Sequence, residues 1–195
     1  CHKAFGEDTA LLAGDALLTH AFEIIASSDL SDDKKVSASL LLAQNAGVGG
    51  MIGGQVIDLI YEKENPTVKQ LLNVYRMKTG ALISAACLMG CISAGADEEK
   101  MSAASKFAYS LGIAFQIQDD IIDELESSEI AGKTTKNDSL KNSFVNLLGL
   151  EESLKSADNL ATKCLETMNS FDKNLKDSLW ELLINYINRH KKYNS

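Results

Sequence analysis

Between Gly112 and Asp123 the chain reads G-I-A-F-Q-I-Q-D-D-I-I-D. Wound as a helix at ~100° per residue, this stretch has two surfaces. Gly112, Gln116, Asp119 and Asp123 form one narrow polar stripe, with Asp120 on its flank. Ile113, Phe115, Ile117, Ile121 and Ile122 occupy most of the rest. A surface helix shows the reverse, one apolar stripe on a polar body. A helix apolar around most of its girth must be enclosed by other elements, so the fold has to be built around this one. Its carboxylates then point inward, where they cannot stay ionised without compensation. Shifted pKa values, Lys or Arg partners, or a metal ion would supply it. Asp119 and Asp123, four apart, share a face. Oxygen-only ligands suit a hard cation such as Mg²⁺, which takes one or two carboxylates, waters and substrate phosphate. The competing reading is a solvated acidic helix end, since Glu124 and Glu126 follow; the apolar context and Gln116 one turn earlier favour the metal.

Everything around this stretch also reads as helix. The 195 residues contain one proline, Pro66, and few strictly alternating β-branched or aromatic runs, so the predicted fold class is all-α. With 45% apolar and 24% charged residues, residues 1–195 suffice for one core and are read as a single domain. A net charge of −8 argues against nucleic acid and anionic membrane as partners. Cys87 and Cys91 lie four apart in an apolar segment without His nearby, which suits small core side chains better than zinc. Four scattered cysteines do not make a disulfide framework, and a reducing, cytoplasmic compartment is expected. No signal or transit segment is visible, and the chain opens at Cys1 in mid-pattern, as a piece of a longer protein does.

Thr9 to about Ser27 is the first clear helix, with Leu11, Leu12, Ala16, Leu18, Phe22 and Ile25 on a broad apolar face. Val36 to about Glu64 reads as a second helical region despite Gly47, Gly49, Gly50, Gly53 and Gly54. Each glycine costs roughly 1 kcal/mol against alanine in a helix, so close backbone approach to a neighbour is the expected reason. Gln55 and Asp58 then share a face. After Pro66, Thr67 caps a long helix that runs to Gly95. Residues 79–96 carry no charge, which approaches a membrane-span length. Their Gly, Ala, Ser and Cys content favours a tightly packed helix instead, and no membrane span is expected. Lys78-Thr79 stands at the mouth of this segment. The aspartate helix runs from Asp97-Glu98-Glu99 to about Leu125, followed by a loop over 126–140 and three amphipathic helices over 142–150, 151–169 and 172–192. Trp180, Leu183, Ile184 and Ile187 are the predicted buried stripe of the last. His2, His20 and His190 are scattered, and no Ser-His-Asp or Cys-His arrangement appears.

Phe115 to Asp123 resembles the second aspartate-rich motif of the trans-prenyltransferases, the farnesyl and geranylgeranyl diphosphate synthases. The segment from His2 to Asp15, the block Gly53-Gly54-Gln55-Val56-Ile57-Asp58 and the pair Lys78-Thr79 resemble the same family in the same order. The resemblance implies an isoprenoid synthase-type helical bundle around a central cavity. It implies condensation of an allylic diphosphate with isopentenyl diphosphate, with two or three Mg²⁺ per site in the intact enzyme, and a homodimer in the full-length form. Metal ligands are then Asp119, Asp120, Asp123 and Asp58. Substrate-binding residues are Lys78, Thr79, Gln116, Gln55, Lys133 and Lys141; the first three are also catalytic, Lys78 neutralising the diphosphate and Thr79 and Gln116 shielding the allylic cation. The spacing from Lys133 to Lys141 is a little shorter than in the family. The family's first aspartate-rich motif and its basic residues for isopentenyl diphosphate are not among these 195 residues, so the chain alone is expected to be inactive or nearly so. A non-catalytic prenyltransferase-like regulatory subunit and a terpene cyclase are the alternatives. The intact aspartates speak against the first, and the Lys78-Thr79-Gly80 and Gly53–Asp58 blocks against the second.

Overall fold

A computed structural model describes residues 1–131 and 142–187, with side chains omitted at 126–131 and 184–187. Helices α1 (His2–Phe5), α2 (Glu7–Ser27), α3 (Asp32–Ala46) and α4 (Met51–Tyr61) are followed by α5 (Val68–Tyr75) and α6 (Ala81–Ala94). Then come α7 (Glu98–Ala131), α8 (Phe144–Leu148), α9 (Leu150–Thr167) and α10 (Lys173–Ile187). Among the described residues there is no strand, as expected of an all-α chain.

The enclosed helix is α7. Phe107, Ala108, Ala114, Ile117 and Ile121 are all essentially inaccessible to solvent. Toward its N-terminal half α7 packs with Cys164, Met168 and Leu183 of α9, the turn after it and α10. Toward its C-terminal half it packs with Leu71, Val74 and Tyr75 of α5, Phe144 and Val145 of α8, and Ala157 of α9. Helix α6 lies between α3 and α7.

Two boundaries and one burial assignment depart from expectation. The glycine-rich region is two helices, α3 and α4, parted at Gly47–Gly50: there the missing side chains let the chain break rather than approach a neighbour. The approach happens at Gly54, where a Cβ would stand 2.4 Å from the Lys78 backbone nitrogen. Helix α7 continues past Leu125 to Ala131, since no glycine or proline interrupts it before Gly132. Trp180 is exposed and Leu183 buried, with Leu179 completing that contact. The Lys133 and Lys141 positions lie outside the described residues. The predicted cap at Thr67 is present as a reciprocal capping box: its hydroxyl accepts from the Gln70 N–H and its N–H donates to Gln70 Oε1 at 2.8 Å.

The long helix from Val68 is not uniform. Between α5 and α6, residues Arg76–Gly80 form one π turn, the i→i+5 irregularity that recurs at functional sites. Small residues seat it. A Cβ on Gly112 of α7 would meet the Gly80 Cα at 2.5 Å, so α7 crosses the π turn in near backbone contact. The Arg76 guanidinium lies 5.6 Å from the Tyr109 ring centroid, a cation–π tie between the same two elements.

The outer faces of the first helices are apolar. Helix α2 has no buried residue. Leu11, Leu12, Leu17, Val36, Leu40, Val56 and Leu59 are exposed. By length and composition alone, Glu7–Ser27, Asp32–Tyr61 and Val68–Ala94 are each long and apolar enough to cross a membrane. The second is interrupted at Gly47–Gly50, and the third carries the π turn with Lys78.

Candidate functional site

Where α7 crosses the π turn, a cavity of about 300 Å³ opens between α4, the end of α5, the π turn, α7 and the residue pair leading into α8. Its walls are Asp58, Tyr75, Lys78, Gln116, Asp119, Asp120, Asp123 and Asn142. The sequence placed six of these together without knowing how. Asp58 comes from α4, brought close by Gly54. Lys78 comes from the π turn. Gln116, Asp119 and Asp123 are the polar stripe of α7, with Asp119 half-buried and Asp123 exposed at the rim.

The residues do not play equal parts. Lys78 Nζ donates to Asp58 Oδ2 at 2.6 Å, so Asp58, expected among the metal ligands, here holds the lysine ammonium. Asp120 Oδ2 accepts from the Tyr75 hydroxyl and from the Phe144 backbone N–H at 2.6 Å. Burial first, then the Asp120 charge, pushes the Tyr75 hydroxyl pKa far above its ordinary value of 10, and it stays a donor. Asn142 Nδ2 donates to the carbonyls of Tyr61 and, at 3.0 Å, Glu64. Tyr75 and Asn142 were missed in the sequence. Tyr75 was findable, since it precedes Lys78 by three and shares its helical side; Asn142 carried no signal. Gln55 is exposed and Thr79 half-buried, and neither lines the cavity.

Among the described lining residues four carboxylates face one ammonium. That imbalance calls for added positive charge. Among the described residues no three His, Cys, Asp or Glu side chains close around a point by themselves. Zinc and calcium prefer such dedicated cages, whereas Mg²⁺ takes one or two carboxylates and completes its octahedron with water and phosphate oxygens. The donor set fits Mg²⁺. A larger open groove of about 630 Å³ lies between the start of α7 and the end of α9, lined by Glu99, Lys106 and Glu166 among small polar residues. Its charges are of both signs, and none of the expected site residues reaches it.

The family described as polyprenyl synthetase matches residues 1–183. The farnesyl diphosphate synthase of Escherichia coli strain K12 is 38% identical over 199 residues, covering 98% of this chain and 67% of that protein. The geranylgeranyl diphosphate synthase of Cyanophora paradoxa is 39% identical over 176 residues, covering 88% of this chain and 59% of that protein. A geranyltransferase from Helicobacter pylori, solved with magnesium and isoprenyl diphosphate, superposes with a TM-score of 0.79 at 38% identity, covering 94% of this chain and 62% of that one. A geranyltransferase from Legionella pneumophila gives a TM-score of 0.82 at 26% identity. The chain thus spans well short of the full length of the proteins it matches.

Proposed function

The chain belongs to the polyprenyl synthetase family, and on that premise we propose that it serves the Mg²⁺-dependent condensation of an allylic diphosphate with isopentenyl diphosphate, giving a farnesyl- or geranylgeranyl-type product. The observation that carries this is the cavity in which Lys78 and Gln116 stand with Asp58, Asp119, Asp120 and Asp123. Asp119 and Asp123 are the side chains to hold Mg²⁺. An ion held there would supply charge to neutralise the diphosphate leaving group.

The chain's own residues contribute the remaining groups on this side of the site. The Lys78 ammonium, aimed by Asp58, faces the diphosphate oxygens, so charge developing on the leaving group meets a cation already in place. The C–O bond of the allylic substrate breaks with its electron pair on the diphosphate. Gln116 lies on the cavity wall, where its amide oxygen would stabilise the allylic cation; the same role for the Thr79 hydroxyl, and substrate contact by Gln55, Lys133 and Lys141, rest on the sequence resemblance alone. The double bond of isopentenyl diphosphate attacks, a C–C bond forms, and the proton lost passes to the departed diphosphate.

A cytoplasmic setting is supported by four free cysteines. A homodimer in the full-length form is supported by the apolar faces of α2, α3 and α4, since exposed patches of that kind mark association surfaces. Calorimetry with a non-reactive allylic thiolodiphosphate tests the central reading. Binding is expected with Mg²⁺ and lost in EDTA, and Asp119→Asn and Asp123→Asn are each expected to weaken it at least tenfold. Equal binding in EDTA would overturn it.

A further inference from the structure

Three aspartates stand in the motif, and the sequence treats them alike. The structure does not. One oxygen of Asp120 joins three separated pieces of chain. Its donors are the hydroxyl of Tyr75, the last residue of α5, and the N–H of Phe144, the first residue of α8. Tyr75 is 5% exposed and Phe144 3%, while Asp120 is half-buried on the cavity wall, so both bonds are shielded from the donor side and partly buried. Tyr75 leads directly into the π turn that carries Lys78. Phe144 stands just after residues 132–141 in sequence, and its neighbour Asn142 is tethered to the end of α4 through the Tyr61 and Glu64 carbonyls. The Asp120 carboxylate therefore sits at the junction of α5, α7 and α8. Bonds to an ionised acceptor are the stronger class. Removing that acceptor strands two buried donors.

We propose that Asp120 is a positioning residue and not a metal ligand. With Tyr75 it locks the entry to the π turn and the start of α8 onto α7, which holds Lys78 opposite Asp119 and Asp123. This deepens the reading of the cavity as a metal–diphosphate site and rests on it. It divides the motif: Asp119 and Asp123 meet the ion, while Asp120 and Tyr75 hold the frame.

Two measurements on the purified protein test it, hydrogen–deuterium exchange over residues 142–148 without ligand, and Mn²⁺ binding by electron paramagnetic resonance with inorganic pyrophosphate present. Tyr75→Phe keeps the ring and removes only the hydroxyl, so it guards against an Asp120→Asn variant that fails to fold. Both variants are expected to speed exchange of the 142–148 amides by roughly tenfold, the loss of one buried hydrogen bond, and Asp119→Asn is not. Both are expected to retain the wild-type number of bound Mn²⁺ ions, and Asp119→Asn to lose at least one. The proposal is overturned if Asp120→Asn loses an ion as Asp119→Asn does, or if Tyr75→Phe leaves exchange over 142–148 unchanged. Should the wild type bind no Mn²⁺ with pyrophosphate, the metal reading of the cavity fails, while the exchange result still judges the lock.

Discussion

Adding one methyl group at Gly112 separates two opposite expectations. In an exposed helix, alanine for glycine is stabilising by about 1 kcal/mol. At Gly112 the new Cβ would lie 2.5 Å from the Gly80 Cα and 3.0 Å from its nitrogen. Both atoms are backbone, and ordinary carbon contacts begin near 3.5 Å, so α7 and the π turn must part by about 1 Å. Overpacking of that kind costs roughly 1–3 kcal/mol. Set against the propensity gain, the net is a loss of up to about 2 kcal/mol, or a melting point lower by up to ~8 °C at this chain length. The cavity suffers more than the fold, since Lys78 and the aspartates ride on the two elements forced apart, and a shift of about 1 Å can cost on the order of 100-fold in a positioned site. Thermal melting and thiolodiphosphate calorimetry would be read together for Gly112→Ala, Gly14→Ala and Gly90→Ala. Gly14 and Gly90 have nothing within 4 Å of a built Cβ, so both substitutions should raise the melting point. If Gly112→Ala also raises it and leaves binding intact, the close crossing of α7 over the π turn is wrong.

Lys78→Met removes the ammonium while keeping the stem. The pair with Asp58 is partly solvated, its side chains 35% and 28% exposed, so stability should change by less than about 1 kcal/mol while thiolodiphosphate affinity falls roughly 10- to 100-fold. Thr67→Ala breaks the capping box of α5 and should cost about 1 kcal/mol, a drop of ~2–4 °C in a melting scan, with Thr67→Ser nearly neutral. Burial raises the Cys164 thiol from 9.0 to about 12. A folded-state pKa raised above the unfolded one gives stability that is full below the unfolded value and lost as pH climbs to the folded one. The advantage of the wild type over Cys164→Ala in chemical denaturation should therefore hold below pH 9 and shrink between pH 9 and 12.

The pattern of α7 was legible because burial and charge conflict along it. Ile117 and Ile121 had to be covered, and Asp119 had to face something polar. The glycine cost also pointed the right way at Gly54, where the Lys78 backbone takes the space a side chain would fill. It misled at Gly47–Gly50, because a run of glycines lowers the cost of a break as much as it permits contact. The π turn was illegible: it depends on an i→i+5 pattern chosen by what packs outside it, the bare backbones of Gly54 and Gly112. The unequal roles of Asp119 and Asp120 were hidden for the same reason. Their difference lies in Tyr75 and Phe144, 45 and 24 residues away, and no local rule reaches that far.

The wide turn at Arg76–Gly80 has a consequence for how such a chain tolerates change in length. Its i→i+5 loops take up one residue more than an α turn would hold, so excising one residue there would regularise the coil and leave α6 close to its present phase. In regular helix each residue advances the chain by about 100°, so the same excision at the start of α6 would turn Ala85, now interior, out from between α3 and α7. A single-codon deletion should therefore be absorbed at the wide turn and disruptive one turn later.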